Sequence, residues 1–366
     1  MHFGIFMPTT NDGYILSKAV PSFTPTVAMN TDIAHVAEET GYTFLLNMSK
    51  LRGYGNGDGF WDQSLDPMGL SGLLIPETKT LEIWGSVAAP TLHPSMAARM
   101  AATYDDASGG RFVLNVVAGW NKAEYAQMGL WPEGYMESRY DYSREYIRIL
   151  LELWATGRSN RKSEFFQLDD SLVQPRPAHG VRIVVPGLSA KSQAITAAYA
   201  DFNFVQGTYE EVKAARAGLL SATAETGRNV DSAALYGVIA AETDDAAIEQ
   251  FYEICREVDF DNAQGLIVAG QADTVGTASN RLNGLTHDIP EVVFPEDRAA
   301  IVYHPALFHP HLVGSYERVA AFFRHLESDG GVGRTVLSFP DFTTDVETFG
   351  RRVIPLVNAA APAPAA

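Results

Sequence analysis

The sequence predicts an α/β protein whose strands close into a (β/α)8 TIM barrel with insertions. Two observations carry this. Eight short apolar runs of strand length alternate with amphipathic helical stretches along 366 residues, the pattern of βα units around a parallel sheet. The length exceeds the roughly 250 residues of a plain barrel, and the excess collects in the early loops and in Phe260 to His311. An open doubly wound sheet is the competing arrangement. No repeat or linker divides the chain, so residues 1–358 are expected to form one domain. The stretch from about 260 to 311 is read as an insertion suited to a substrate lid. The low-complexity end, 359–366, is expected to be disordered.

In order, Phe3 to Met7 reads as the first strand, followed by a long Pro- and Thr-rich loop to Met29. Asn30 and Thr31 suit the cap of a helix ending at Gly41. Tyr42 to Leu46 is a second strand, followed by the polar corner Asn47 to Lys50. Residues 51–61, LRGYGNGDGFW, alternate glycine with other residues and read as a mobile loop, because the GxGxxG spacing and its strand-turn-helix setting are missing. Leu70 to Leu74 is helical, and Leu81 to Gly85 is a third strand ending at Ser86. A helix starting at His93 and Pro94 is closed by Gly109 and Gly110. Phe112 to Val117 and Val181 to Val185 follow as strands four and five, the latter turning through Pro186 to Ser189 into a helix from Ala190 to Ala200. Phe202 to Val205, Ala234 to Ala241 and Arg334 to Phe339 complete the eight. Helices are expected from Tyr209 to Thr226, Asp244 to Val258 and Val346 to Val357.

Composition narrows the function classes. Acidic residues number 44 against 27 basic, a net charge of −17. With no Lys/Arg-rich run, this argues against nucleic acid or an anionic membrane as a partner. A lone cysteine, Cys255, excludes an intrachain disulfide and fits a reducing compartment. The start, MHFGIFMPTT, is too short and too poor in positive charge for a signal peptide. No stretch of 18 apolar residues is present. The expectation is a cytoplasmic protein acting on a small molecule.

The chemistry is expected in RFVLNVVAGWNKAEYAQMGLWPEGYMESRYDY, from Arg111. Asn115 closes on the end of a strand, and Trp120, Asn121 and Glu124 follow a small corner. Polar residues at the carboxyl ends of barrel strands face the ligand. Arg139 and Tyr140, read as lying at a helix start, suit a phosphate, since a guanidinium and helix N–H groups both donate to it. On spacing alone, core roles for Trp120 and Tyr140 and a solvated Arg139 remain the alternative.

Other constellations are less specific. His304, His309 and His311 lie in YHPALFHPHL, but two prolines break helical spacing and no acidic residue joins them, so a structured loop is favoured over a metal set. Asp105 and Asp106 are read as a helix end, solvated or bonded to Arg111. Ser64, Ser189 and Ser338 lack a nucleophile elbow, and Cys255 reads as packing.

Taken together, the runs NMSKLRG from Asn47, FWD from Phe60, HPSMAARMAATYDDASGGRF from His93, NVVAGWNKAEYAQMGLWP from Asn115, SRYDYSREY from Ser138, ADFNF from Ala200 and LVGSYERVA from Leu312 resemble the bacterial-luciferase-like flavin monooxygenases. The resemblance is closest to their pyrimidine, sulfone and alkanesulfonate branch, and it covers most of the chain. It implies FMN, used as FMNH2 with O2, held by Ser49, Lys50, Asn115, Glu124, Arg139, Tyr140 and Ser189. It also implies an oxygen pocket of Met48, Ser86, Asn115 and Trp120, and chemistry through a flavin-N5-peroxide that splits an amide-like C–N bond. A separate NAD(P)H-flavin reductase is implied as a partner, since no nicotinamide fingerprint is present, and a homodimer or homotetramer as the assembly. Cleavage of a C–S bond, a deazaflavin hydride transfer and a non-catalytic flavin-binding role are the alternatives. Two stretches depart from the pattern: the turn reads Pro186-Gly187-Leu188-Ser189, and 259–310 does not match, which leaves the substrate open.

Overall fold

The computed structural model describes residues 1–54, 59–224, 226–271 and 288–359. The middle of the Gly-alternating loop (55–58), part of the inserted stretch (272–287) and the end of the chain (360–366) lie outside the described residues. The strands are β1 (His2–Met7), β2 (Phe44–Asn47), β3 (Glu82–Ala88), β4 (Phe112–Val117), β5 (Arg158–Ser159), β6 (Ser171–Leu172), β7 (Arg182–Pro186), β8 (Phe202–Gln206), β9 (Asp231–Ala241), β10 (Ala300–Val302), β11 (His311–Ser315) and β12 (Arg334–Ser338).

Eight of these, in the order β1-β2-β3-β4-β7-β8-β9-β12, pair in parallel and close when β12 pairs with β1. The result is the closed barrel that the alternating pattern predicts. Strand β9 is long enough to serve three neighbours. Its first half pairs with β8, its middle with β12, and its last residues, Gly237 to Ala241, with β11. Strand β11 and its antiparallel partner β10 are additions that apolar runs alone do not reveal, because β10 lies in the inserted region and β11 starts at its last residue, His311.

Side chains alternate in and out along each strand, and the inward set stacks in layers. At the amino-terminal end Glu82 lies 2.8 Å from Arg182 and 3.4 Å from Arg334. Above it the rings of Phe44, Trp84 and Phe202 stack at centroid distances of 4.4 and 4.9 Å. Gly4 lies opposite, and a Cβ there would overlap the Phe44 ring. This aromatic plug fills the amino-terminal part of the barrel, and the cavity described below lies toward the carboxyl ends of the strands.

Local differences from the sequence reading have local causes. The first long helix is Val27–Thr40, capped by Thr26, whose side chain accepts from Met29 N. Asn30 is therefore inside the helix, buried, donating to the carbonyls of Thr26 and Pro8. Asp105 is buried and accepts from His179 N at 2.9 Å. Arg111 donates instead to the carbonyls of Ile75, Thr78, Leu81 and Ser108. The closing helix is two pieces, Asp345–Arg352 and Ile354–Ala359, so Ala359 belongs to a helix. Among the described residues, no helix is long and apolar enough to cross a membrane.

Candidate active site

A cavity of about 230 Å³ opens at the carboxyl ends of the barrel strands, where such folds place their chemistry. Phe6, Leu46, Ser86, Asn115, Phe204 and Leu235 reach it from six strands, and the segments that follow the strands complete its wall. Of the residues picked out by sequence, Met48, Ser49, Lys50, Ser86, Asn115, Trp120 and Glu124 all line this one cavity.

Strands β3 and β4 place Ser86 directly beside Asn115 in register. The Asn115 amide nitrogen donates to Ser86 Oγ at 2.9 Å. The amide oxygen, also buried, has no hydrogen-bond partner among the described residues. A buried polar atom left in this way is costly unless a ligand donor meets it.

Lys50 and Glu124 form the charged part of the wall. Lys50 Nζ lies 2.5 Å from Glu124 Oε1, with both side chains at most 5% exposed. The other carboxylate oxygen accepts from Leu51 N at 3.2 Å. The ammonium also sits 4.2, 5.3 and 5.7 Å from the ring centres of Tyr54, Trp61 and Trp120, a cation–π cage. Burial pulls the Lys50 pKa below its usual value, and Glu124 opposes that shift.

Arg139, Tyr140 and Ser189 gather into a second cluster outside the cavity lining. The Ser189 hydroxyl donates to the Tyr140 phenolic oxygen at 3.3 Å. The Arg139 guanidinium lies 5.1 Å from the Tyr140 ring centre and donates to Met136 Sδ. Arg139 is not at a helix start, as its helix runs Tyr135–Thr156 and places it in the second turn. It is buried, so the reading of a solvated surface charge also fails. The helix start in this cluster belongs to Ala190–Tyr199, which Ser189 caps through Ser192 N. Cavity and cluster are joined by the turn from Pro186, which lines the cavity, to Ser189.

The donor set fits a flavin nucleotide. A mostly apolar cavity with an open amide oxygen suits the ring system, and a guanidinium, two hydroxyls and a helix start suit a phosphate.

The sequence reading missed Tyr54, Trp61, Leu266 and Phe308 as cavity residues. Phe308 enters through the histidine segment. Burial pushes both His309 and His311 below the usual imidazole range, His311 to about 4. His309 Nε2 lies 2.6 Å from Ser338 Oγ, and His311 Nδ1 bonds the His309 carbonyl oxygen at 2.8 Å. These bonds tie the segment to the barrel and set the Phe308 ring 4.4 Å from Trp61. Proximity of Phe308 to a histidine-rich run is no signal of this, since it depends on where β11 pairs. Cys255 is buried in the helix Asp244–Arg256, its thiol pushed up to about 12 by burial.

Comparison with known proteins agrees with this geometry. The family model for luciferase-like monooxygenase matches residues 1–331. The pyrimidine monooxygenase RutA of a Bradyrhizobium species is 39% identical over 366 residues, covering 99% of this chain and 98% of the relative. That of an Escherichia coli strain is 37% identical over 370 residues, covering 100% and 98%. The solved EDTA monooxygenase from Chelativorans sp. BNC1 superposes with a TM-score of 0.79 at 16% identity, over 98% of this chain and 93% of that one, a likeness of fold. A family match over most of the length, together with relatives at this identity, places the chain in the luciferase-like monooxygenase family, as a flavin-dependent monooxygenase.

Proposed function

We propose that the chain is a two-component monooxygenase that takes reduced FMN from a separate NAD(P)H-flavin reductase and, with O2, opens a pyrimidine or similar cyclic imide at a C–N bond. The observation that carries the substrate class is the Lys50–Glu124 pair in the cavity wall. An ammonium keeps donors beyond the one given to the carboxylate, and the carboxylate keeps acceptor capacity. Side by side they complement the adjacent C=O and N–H of an imide, and the relatives' names include pyrimidine.

Reduced flavin, when bound, supplies the two electrons that activate oxygen. The residues do the rest. Ser86 and Asn115 present fixed polar groups where charge develops, while Met48 and Trp120 keep water out. Arg139, Tyr140 and Ser189 hold the phosphate that distinguishes FMN from riboflavin. Ser49 steadies the ring side of the same cofactor. No nicotinamide-binding fingerprint is found in the sequence, hence the reductase.

The test supplies the protein with FMN, NADH, a flavin reductase, uracil and ¹⁸O2. One labelled oxygen atom in a ring-opened product is expected. Label confined to water or hydrogen peroxide would overturn the reading, as would rapid NADH oxidation by this chain without a reductase.

A further inference from the structure

The cavity holds a buried hydroxyl that neither the fold nor the reading above uses. Tyr54 lines the cavity. Its phenolic oxygen is buried and has no hydrogen-bond partner among the described residues. A Tyr hydroxyl in a protein interior ordinarily finds a partner, because leaving it unmet forfeits its hydration. Its ring carries the Lys50 ammonium at 4.2 Å, and it stands 5.8 Å from the Trp61 ring and 6.4 Å from the Trp120 ring.

A second observation concerns the neighbour that shapes this wall. Trp61 is held at φ 65°, a left-handed conformation that bulky residues avoid. Its indole N–H is tied to the Gly13 carbonyl at 2.6 Å. Strain of this kind persists where surrounding structure imposes it, and it concentrates at ligand clamps. Phe308, from the inserted segment, closes against the same indole at 4.4 Å. Tyr54, Trp61 and Phe308 thus form an aromatic slot beside the Lys50–Glu124 pair, with one polar atom in it left unmet.

We propose that the Tyr54 hydroxyl is a substrate-binding group that sets specificity, bonding the polar edge of a planar ring held in this slot. The inference rests on the cyclic-imide reading above and deepens it. It adds a third polar contact to those of Lys50 and Glu124, on a ring held by aromatic faces. Burial, and secondarily the Glu124 charge, raise the phenol well above its usual pKa. The group therefore stays protonated, able both to donate and to accept.

Tyr54→Phe removes the oxygen and keeps the ring beneath Lys50. Uracil is titrated into the FMN-loaded wild-type and Tyr54→Phe proteins by calorimetry, and thermal melting of both is recorded. Uracil affinity is expected to fall roughly 5- to 150-fold, the range for stranding one polar group, with FMN affinity unchanged. The melting temperature should hold or rise, since no bond within the protein is lost. Equal uracil affinity in the two proteins overturns the inference and leaves the proposed function standing. A lower melting temperature also overturns it, because the hydroxyl would then be serving the fold. A wild-type protein that binds no uracil overturns the imide reading and this inference together.

Discussion

Lys50 Nζ sits 2.5 Å from Glu124 Oε1, joining the segment after β2 to the short helix Lys122–Ala126 after β4. The two residues are 74 positions apart, and both are withdrawn from water. Removing one partner of such a pair strands the other charge, at a cost of about 3–5 kcal/mol. Glu124→Gln and Lys50→Met should each lower the unfolding free energy obtained from urea titration by that order. The double variant should recover part of the loss, because it leaves no uncompensated charge. Additive losses would show that the two residues act separately.

The Asn115 amide donates to the Ser86 hydroxyl at 2.9 Å, and the proposed function assigns this pair to the oxygen side. Asn115→Leu keeps the volume and removes the dipole. Turnover is expected to fall by about 10²–10³, while FMN affinity changes much less. Steady-state kinetics beside flavin titration checks this, and a parallel collapse of FMN binding would assign Asn115 to the cofactor alone.

Arg139 reaches the Ser189 cluster from the second turn of its helix. Arg139→Ala is expected to weaken FMN binding about 10- to 150-fold, the loss of one charge-assisted contact of roughly 1.5–3 kcal/mol. Riboflavin, lacking the phosphate, should bind wild type and variant alike. The comparison of the two flavins separates a phosphate contact from general damage to the site.

At the opposite end of the barrel, burial by itself would raise the Glu82 carboxyl. Arg334, Arg182 and the Trp84 N–H bond together outweigh it and hold the group below 4.5. A carboxylate with a depressed folded pKa adds stability above its unfolded pKa and loses it as pH falls through the folded value. Glu82→Gln should therefore be less stable than wild type at pH 7, with the gap narrowing as pH drops below about 4.5. Urea midpoints of both proteins at pH 7 and pH 4 measure this, and a gap that widens in acid would contradict it.

Local pattern by itself determined the barrel, because strand length, β-branched content and glycine stops are properties of a few neighbouring residues. Phe112–Val117 matches its apolar run, and Gly41 and Gly109 end their helices as read. The polar residues at strand ends were legible too, since strand direction fixes which end faces the ligand. Asn30 has the chemistry of a cap as Thr26 does, and its burial with bonds to the Thr26 and Pro8 carbonyls is what leaves the cap to Thr26. Arg139 lies in the second turn and not at the helix start because the helix begins a turn earlier, at Gly134, a cap with no side-chain bond to mark it. The partners of Lys50, the aromatic slot of Tyr54, Trp61 and Phe308, and the third pairing of β9 were decided only by tertiary structure. Each joins segments far apart in the chain, and the free energy that selects such a contact comes from desolvating both partners together, which neither local sequence encodes.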